Sequence, residues 1–364
     1  MKYYAGLDVS LNSTTICIMN ENRKVILEGE TLSEPKAIQE YLKATNRVLE
    51  LVGLESGFIS HWLYTELMKI EPEMPLKCID ARKVSAALSN NINKTDRCDA
   101  KGIADIMRAG FYSEVHIKSA NAMEVGSCLQ SRATLVSSIV ALKGSLRGQL
   151  RCYGVKLKAN KTGFVSAVAE ALKTLNPELA ACLNILLQSF TVLQTNLEVL
   201  DKRLLALAKA DDRVALLETV PGVGPITALA FISEVDDPKR FKNSRDVAAY
   251  FGLTPRQYAS GETRVQLGIS KQGSSMMRAL LVGAAMSHQR SKSWSKAKAW
   301  SLKLKRKHGP RKARVALARK LCTVMHRMLV TGEIFKLSEM SAKEALSLQN
   351  DLRSDKPKKK KKVA

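Results

Sequence analysis

The sequence predicts an α/β domain followed by a longer, mostly helical region, and three observations lead to this fold class. Short strand-like segments separated by turn residues fill the first 80 residues. Leucines recur at helical spacing through the middle of the chain, and the last third combines helical periodicity with many Lys and Arg. A chain of 364 residues is long enough for two or three domains, each with its own hydrophobic core.

The first domain is predicted over residues 1–118. Its strands begin as hairpins with Asn and Ser in the turns, and later strands alternate with helices. This order is typical of a mixed sheet covered by helices. The predicted elements are, in order, strands at 2–8, 14–19, 25–31 and 47–54, a helix at 60–70, a strand at 76–79 and a helix at 99–108.

The middle region, residues 119–210, has a helical pattern with a heptad repeat near its end. Apolar side chains spaced by seven, with partners four residues later, form the seam of a short coiled coil through which the protein would self-associate. A core-facing helix in an ordinary bundle explains the same pattern equally well. The residues of this seam are Leu186, Leu193, Leu200 and Leu207, with Phe190, Leu197 and Leu204 following the first three.

A third domain is predicted over residues 211–340, and it begins with the segment LETVPGVGPITALAFISEV. A helix, a glycine turn and an apolar helix fit a helix-hairpin-helix, in which backbone N–H groups at Gly222 and Gly224 would contact a phosphate. A glycine-rich connection between two helices is the alternative. Residues 341–364 are predicted to be a disordered basic tail. Their lysine run, KPKKKKKVA, resembles a nuclear-localisation signal and is either a native arm or an added tag.

The charge of the chain indicates a polyanionic partner. The sequence has 58 Lys and Arg against 34 Asp and Glu, a net charge of +24. From Thr263 to Gly332 there are seventeen Lys or Arg and no acidic residue. Such a long run of one sign repels itself unless a polyanion neutralises it, and nucleic acid is the usual one. An anionic membrane is less favoured, because no strongly amphipathic aromatic helix accompanies the charge.

Other features exclude several classes of protein. Mean hydropathy is −0.12, and no apolar run approaches the roughly 20 residues of a spanning helix. The N-terminal sequence does not resemble a signal peptide, so the cytoplasm is the expected location. The seven cysteines are irregularly spaced without a CxxC pair, which argues against a disulfide framework and a structural zinc site.

Four carboxylates lie where an α/β sheet would bring them together. Asp8 and Glu55 end predicted strands, and Asp96 and Asp99 lie where a helix begins. Residues at i and i+3 share one helix face, so both aspartates can reach one site. Carboxylates with water are the ligands that Mg²⁺ and Mn²⁺ prefer. Two such ions would clamp the attacking and leaving oxygens of a phosphodiester, so these acids predict a metal site.

A basic segment in the third domain, FGLTPRQYASGETRVQLGISKQGSSMMRALL, contains candidate contacts for phosphate. Arginine side chains can hold the non-bridging oxygens, and a lysine can contact the backbone. The cations are Arg256, Arg264, Lys271 and Arg278. The residues alone do not distinguish a nucleophile among Ser260, Ser270, Ser274 and Ser275.

These motifs together resemble a known family. GLDVS, LESG and NKTDRCDA, in this order, resemble the ribonuclease-H-like, resolvase-type DEDD domain of insertion-sequence transposases related to the Piv DNA invertases. PGVGPITA and FGLTPRQYASG resemble the C-terminal transposase domain of the same family. The resemblance covers about residues 3–330. One departure is Leu11, where many relatives have Lys, and it leaves the four acids intact.

The resemblance implies a mechanism and partners. Family members resemble recombinases guided by a bridge RNA, a noncoding RNA that pairs with donor and target DNA. Asp8, Glu55, Asp96 and Asp99 would form the metal-binding tetrad. Ser260 would be the nucleophile, acting with the metals of another subunit in a dimer or tetramer. The protein would then act in the bacterial cytoplasm.

Three other functions fit parts of the sequence. A DEDD junction resolvase or nuclease would use the same acids with water as the nucleophile. A nucleic-acid-binding protein without activity would use the acids structurally. An actin-like or sugar-kinase ATPase would explain GLDVSLNST, but the chain lacks the second glycine-rich phosphate turn that such an enzyme needs.

Overall fold

The computed structural model of the chain describes residues 1–89, 95–157, 163–260, 263–291 and 294–335. The chain forms two compact units, Met1–Ser119 and Ala120–Ala364. The first is an α/β unit and the second is mostly helical, which confirms the predicted order of fold classes.

The first unit is built on a five-stranded mixed sheet. Its strand order is β3-β2-β1-β4-β5. The hairpin pairs β1–β2 and β2–β3 are antiparallel, whereas β1–β4 and β4–β5 are parallel, as the predicted hairpins and crossovers require. The strands are β1 Tyr3–Val9, β2 Ser13–Asn20, β3 Val25–Leu32, β4 Leu49–Glu55 and β5 Leu76–Ile79.

Separate apolar cores form on the two faces of this sheet. On one face, side chains such as Leu7 and Ile16 pack with Ile38 and Leu63 of two helices. On the other, the core is formed with α4, through residues such as Ile103. The helices are α1 Pro35–Lys43, α2 Ser60–Ile70, α3 Ala81–Leu88 and α4 Asp96–Ala109.

The second unit begins with two 33-residue helices that pack against each other. Its elements are α5 Ala120–Cys152, α6 Phe164–Leu172, α7 Pro177–Lys209, α8 Asp212–Glu218, α9 Pro225–Val235, a 3₁₀ turn Pro238–Arg240, α10 Ser244–Tyr250, β6 Pro255–Ser260, β7 Thr263–Ile269, α11 Ser275–Arg290 and α12 Lys296–Thr331. The start of α5 and the end of α7 share one core, and the opposite ends share another, so the two helices run antiparallel.

The predicted heptad seam on α7 is buried or half-buried except at Leu207, which is 44% exposed. Phe190 and Leu204 are its buried members. The face that packs within the unit also includes Leu183, Leu187 and Ala208. The helix therefore contributes to cores inside its own unit, as the bundle alternative requires, and self-association through it stays a prediction.

Among the described residues, α5 is long and apolar enough to cross a membrane by length and composition alone, which is weak evidence. It packs against α7, and the Nε atom of Arg132 lies 2.6 Å from Oδ1 of Asp201 on that helix. It also has three further cations in its last three turns: Lys143, Arg147 and Arg151. These contacts and charges fit a bundle helix.

Helix α12 folds back on itself. Its backbone leaves helical geometry at Gly309, where φ is 83°, and Pro310 follows. The Nζ atom of Lys320 lies 5.2 Å from the ring centre of Trp300. In a straight helix, residues twenty positions apart would be separated by about 30 Å. The two halves of α12 therefore lie side by side around the glycine.

Candidate nucleic-acid and metal site

Asp8 and Glu55 occupy matching positions on neighbouring strands. Strands β1 and β4 are parallel, and Leu7 pairs with Leu54. Asp8 and Glu55 each follow that pair by one residue, at the carboxyl end of their strands, and both are half-buried. The carboxyl ends of adjacent parallel strands meet at one edge of a sheet, so the two acids lie beside each other.

Two glycines show which face of the sheet these acids occupy. A Cβ atom at Gly6 would lie 2.2 Å from the carbonyl oxygen of Ala100, and one at Gly53 would lie 2.5 Å from Cγ of Met107. Both glycines therefore face α4. Alternate residues of a strand share a face, so Asp8 and Glu55 also lie on the α4 side.

The first turn of α4 contains the other two acids of the predicted set. Thr95 caps the helix, with its hydroxyl accepting from the backbone N–H of Cys98 at 3.3 Å. Asp96 and Asp99 follow in the first turn, where the helix dipole stabilises negative charge. Asp96 is exposed and Asp99 is half-buried.

Strand register relates Asp96 to the same region of the sheet. Asp8 pairs with Thr15, and Thr15 pairs with Glu30, so these residues form a row across three strands. A cavity lined by Thr15, Glu30 and Asp96 lies at the start of α4. Sequence reasoning missed Glu30, although the Glu-Gly-Glu alternation at residues 28–30 marks one polar face of β3.

The donor chemistry of these acids fits Mg²⁺ or Mn²⁺, since hard cations prefer carboxylate oxygens. Within the described part of the chain, however, no three His, Cys, Asp or Glu residues lie close enough together to form a metal-binding group. Two acids are adjacent at the sheet edge and two begin α4. Joint coordination by all four stays a prediction.

The glycine turn before α9 is packed against α11. Gly222 has a φ of 93°, and a Cβ atom there would lie 2.6 Å from the carbonyl oxygen of Ala284. Nδ1 of His288 lies 2.6 Å from the carbonyl oxygen of Pro221, so this nitrogen donates. Burial lowers the pKa of His288, and the neutral ring accepts from Ser295 through Nε2 at 3.1 Å.

The two glycines of this turn thus differ. Close packing against α11 explains why residue 222 is a glycine. Gly224 is the N-cap of α9, and the space where its Cβ would lie is open. Helices α8 and α9 lie on either side of this turn. A helix-hairpin-helix and phosphate binding at Gly222 and Gly224 stay predictions.

Ser260 is the last residue of β6. The antiparallel hairpin β6–β7 pairs Ser260 with Thr263 and Ala259 with Arg264. Residues 261 and 262, which include the end of the YASG motif, lie outside the described residues. Arg256 is exposed near the start of β6. The serine therefore lies at the far end of the hairpin from its connections to the helical core.

The structure distinguishes the other serines from Ser260. Ser274 is the N-cap of α11, and its hydroxyl accepts from the N–H of Met277 at 3.2 Å. The hydroxyl oxygen of Ser270 is buried. Ser275, the first residue of α11, is exposed. The capping role of Ser274 and the burial of the Ser270 hydroxyl argue against these two serines as the nucleophile.

Arg278 holds the base of the hairpin. Its Nη1 donates to the carbonyl oxygens of Gln272 at 2.6 Å, Gly273 at 2.9 Å and Phe251 at 3.3 Å. These bonds give the side chain a structural role that the sequence did not predict. Lys271 is exposed, with a left-handed φ of 58°, and its N–H donates to Gly252 at 3.1 Å. A phosphate contact by Arg278 or Lys271 stays a prediction.

Comparison with known proteins agrees with the two-part pattern. Residues 5–154 match a family described as transposase, DEDD type of IS110, and residues 214–300 match the transposase IS116/IS110/IS902 family. The first match includes all four acids, and the second includes Ser260. A DEDD transposase domain suggests dependence on a divalent metal.

Several bacterial transposases are similar to this chain over much of its length. It is 30% identical to the transposase for insertion sequence element IS1111A of Coxiella burnetii, over 91% of this chain and 90% of that protein. It is 31% identical to the putative transposase y4pF/y4sB of Sinorhizobium fredii, over 68% and 66%. It is 25% identical to the transposase for IS1328 of Yersinia enterocolitica, over 78% and 85%. With both domains matched in order, the chain belongs to the IS116/IS110/IS902 family of insertion-sequence transposases and is an enzyme of DNA strand transfer.

Proposed function

We propose that this transposase exchanges strands between donor and target DNA through a covalent phosphoserine intermediate at Ser260, guided by a noncoding RNA. We assign Asp8, Glu55, Asp96 and Asp99 as ligands of Mg²⁺ or Mn²⁺. The proposal is supported chiefly by the placement of Asp8 beside Glu55 on the face of the sheet that α4 covers.

In the proposed reaction, the Ser260 hydroxyl loses its proton and its oxygen attacks the phosphorus of the scissile phosphodiester. The bond from phosphorus to the 3′ oxygen breaks and that oxygen takes up a proton, which balances the one lost by serine and leaves a phosphoserine ester and a free 3′ hydroxyl. A 3′ hydroxyl from the exchanged strand then attacks the ester and releases the serine. Because each step exchanges one ester for another, religation needs no ATP.

The metal, when bound, would lower the free energy of the serine alkoxide and of the charge on phosphorus. The carboxylates would hold it at the start of α4. Arg256 and Arg264 are proposed to hold the non-bridging phosphate oxygens, with Lys271 on the backbone. These roles are assigned from the positions of the three cations in the sequence around Ser260.

The excess charge of the second unit supports RNA as an additional partner. Of the 58 Lys and Arg, 43 follow residue 119, against 18 of the 34 Asp and Glu. A guide RNA and two DNA segments would present more phosphate than one duplex. We infer a dimer or tetramer that acts in the cytoplasm. Adding RNA transcribed from the noncoding DNA beside the gene should switch on strand exchange, and exchange without any RNA would contradict guidance.

A trapping experiment tests the nucleophile. Wild-type protein is incubated with end-labelled, nicked DNA, RNA and Mg²⁺, and covalent adducts are separated on a denaturing gel. Ser260→Ala should lose the adduct entirely, and Ser275→Ala, an exposed serine on α11, should keep it. An adduct that persists in Ser260→Ala would assign another nucleophile. Metal-dependent cleavage that continues there without an adduct would favour the water-using resolvase.

A further inference from the structure

A groove in the second unit is lined by the two halves of α12 and the base of the β6–β7 hairpin. It has a volume of about 860 Å³. Clefts of about 300–1,000 Å³ are typical of small-molecule and cofactor sites. Its apolar lining, called here the apolar floor, includes Leu253, Leu267, Ile269, Val315 and Val324. We call it the α12 groove.

All charged residues that line the α12 groove are cationic. No Asp or Glu lies among the described residues that line it. The cations come from α10 and from the second half of α12. They are Arg245, Arg311, Lys312, Arg319 and Lys320, and all five are exposed.

Trp300 supplies an aromatic surface in the groove. The side chain is 39% exposed although it is large and apolar. Lys320 lies over its ring, with Nζ 5.2 Å from the ring centre. That lysine is long and exposed, so its ammonium group can move to an arriving phosphate. Base–aromatic stacking tolerates any sequence, because every base has a π face.

A ligand that fits this surface must be flat and apolar at one end and anionic at the other. An unpaired nucleotide meets both conditions. A continuous duplex exposes phosphates, sugars and base edges but not the faces of its internal bases, because these are stacked, so it would leave the face of Trp300 unused. The absence of acidic lining residues also favours an anion over a basic peptide.

We propose that the α12 groove binds an unpaired nucleotide of a nucleic-acid strand, with its base against Trp300 and adjacent phosphates on Arg311 and Arg319. The inference rests on the nucleic-acid function of the transposase. It is independent of the nucleophile and of the metal ligands, because neither lines the groove.

Binding of short oligonucleotides to the full-length protein tests this site. Fluorescence anisotropy is measured with labelled oligothymidine, labelled oligouridine and a labelled duplex of the same length. Trp300→Ala should weaken binding of at least one single strand by roughly 5- to 150-fold, the range for losing one stacked base. Duplex binding should stay within about twofold. Trp300→Phe, which keeps a ring, should recover most of the affinity.

Two controls separate stacking from charge and from misfolding. Lys305→Ala removes an exposed cation of α12 that does not line the groove, and it should weaken single-strand and duplex binding by equal factors. An oligonucleotide made entirely of abasic sites keeps the phosphates without the bases. It should bind wild-type protein as weakly as oligothymidine binds Trp300→Ala, a comparison that remains available if the variant folds poorly.

Comparing the two single strands also shows whether the bound nucleotide belongs to RNA or to DNA. A larger effect of Trp300→Ala on oligouridine assigns the groove to RNA, and a larger effect on oligothymidine assigns it to DNA. Unchanged affinity of Trp300→Ala for both single strands would overturn the proposal, as would an acidic peptide that competes as strongly as the oligonucleotides. In either case the adduct at Ser260 would still form, so failure here is distinguishable from failure of the proposed reaction.

Discussion

The two units of this transposase differ sharply in charge. Residues 1–119 contain 15 Lys and Arg and 16 Asp and Glu, so the first unit is nearly neutral, whereas residues 120–364 contain 43 and 18. The difference reflects two incompatible needs. Carboxylates that bind a cation require clustered negative charge, which repels phosphate, and nucleic-acid binding requires the opposite. The proposed metal ligands and most of the excess positive charge lie in different units, each with its own cores.

The largest effect is expected from an acid of the first unit. Asp99→Asn should lower strand exchange by more than about 100-fold, because even outer-shell partners of a metal contribute roughly 10–100-fold. Binding of Mn²⁺ to the protein, measured by calorimetry, should weaken in parallel. Affinity for nucleic acid should be unchanged, since the basic unit is untouched.

Asp105→Asn is the matched control on the same helix. Asp105 pairs with Arg23 at 2.7 Å and with Arg108 at 2.8 Å, and it is outside the proposed ligand set. It should retain exchange within a few-fold of the wild-type rate. Equal losses in both variants would remove the distinction between metal-binding and structural acids.

A middle-sized effect is expected where α4 contacts the sheet. Gly6→Ala places a Cβ against backbone atoms of Ala100 and Ala104, at 2.2 and 2.4 Å, so the helix must shift. Overpacking of this kind costs about 1–3 kcal/mol of unfolding free energy. Gly53→Ala meets the Met107 side chain at 2.5 Å, and that flexible chain can move, so its cost should stay below about 1 kcal/mol. Urea unfolding measures both.

The same glycine pair tests whether α4 positions the acids. Gly6→Ala should also weaken Mn²⁺ binding, because the first turn of α4 moves with the helix. If both alanine variants lower the unfolding free energy equally, then the close approach of the α4 backbone does not explain the glycine at position 6.

The smallest effect is expected from a helix cap of the second unit. Asp211 accepts from the N–H of Arg213 at 2.9 Å and from its guanidinium at 2.8 Å. The side-chain hydrogen bond lowers the pKa of this carboxyl, and partial burial opposes the shift. Asp211→Ala should lower the unfolding free energy by about 1 kcal/mol at neutral pH, as loss of an N-cap does.

The sign of the pH dependence follows from the lowered pKa. The carboxylate contributes stability above the ordinary Asp pKa of about 3.9, and this contribution is lost as the pH falls through the lower folded value. The difference in unfolding free energy between wild type and Asp211→Ala should therefore become smaller below about pH 4. Asp211→Ser, a cap that does not titrate, should keep its cap in acid. If this difference does not change with pH, the pKa of the carboxyl is the same in the folded and unfolded protein.

Local patterns predicted much of the fold. Strands β1–β5 begin and end within two residues of their predicted bounds, because turn residues bracket them. The helix predicted at 99–108 begins at Asp96, where Thr95 supplies the cap. Two helices of the first unit were missed, α1 and α3, which have only nine and eight residues, although Ile38 and Leu42 of α1 recur at helical spacing.

Long-range contacts are harder to predict from local sequence. On α7, Ile185 and Val192 are exposed, so apolar residues lie on more than one face and spacing alone does not identify the packed one. The pairing of Asp8 beside Glu55 depends on strand order, which local sequence does not specify. Trp300 comes beside Lys320 only because the chain reverses at Gly309.

The bonds of Arg278 have a consequence for the entropy of the hairpin. A two-stranded sheet is marginal by itself, since its few contacts barely offset the loss of chain freedom. Arg278 joins Phe251, before the hairpin, to Gln272 and Gly273, after it, and so closes the intervening segment into a loop. The entropy of bringing the loop ends together is thereby lost during folding. A nucleic-acid strand that binds near Ser260, as proposed, would therefore meet a hairpin whose base is already fixed.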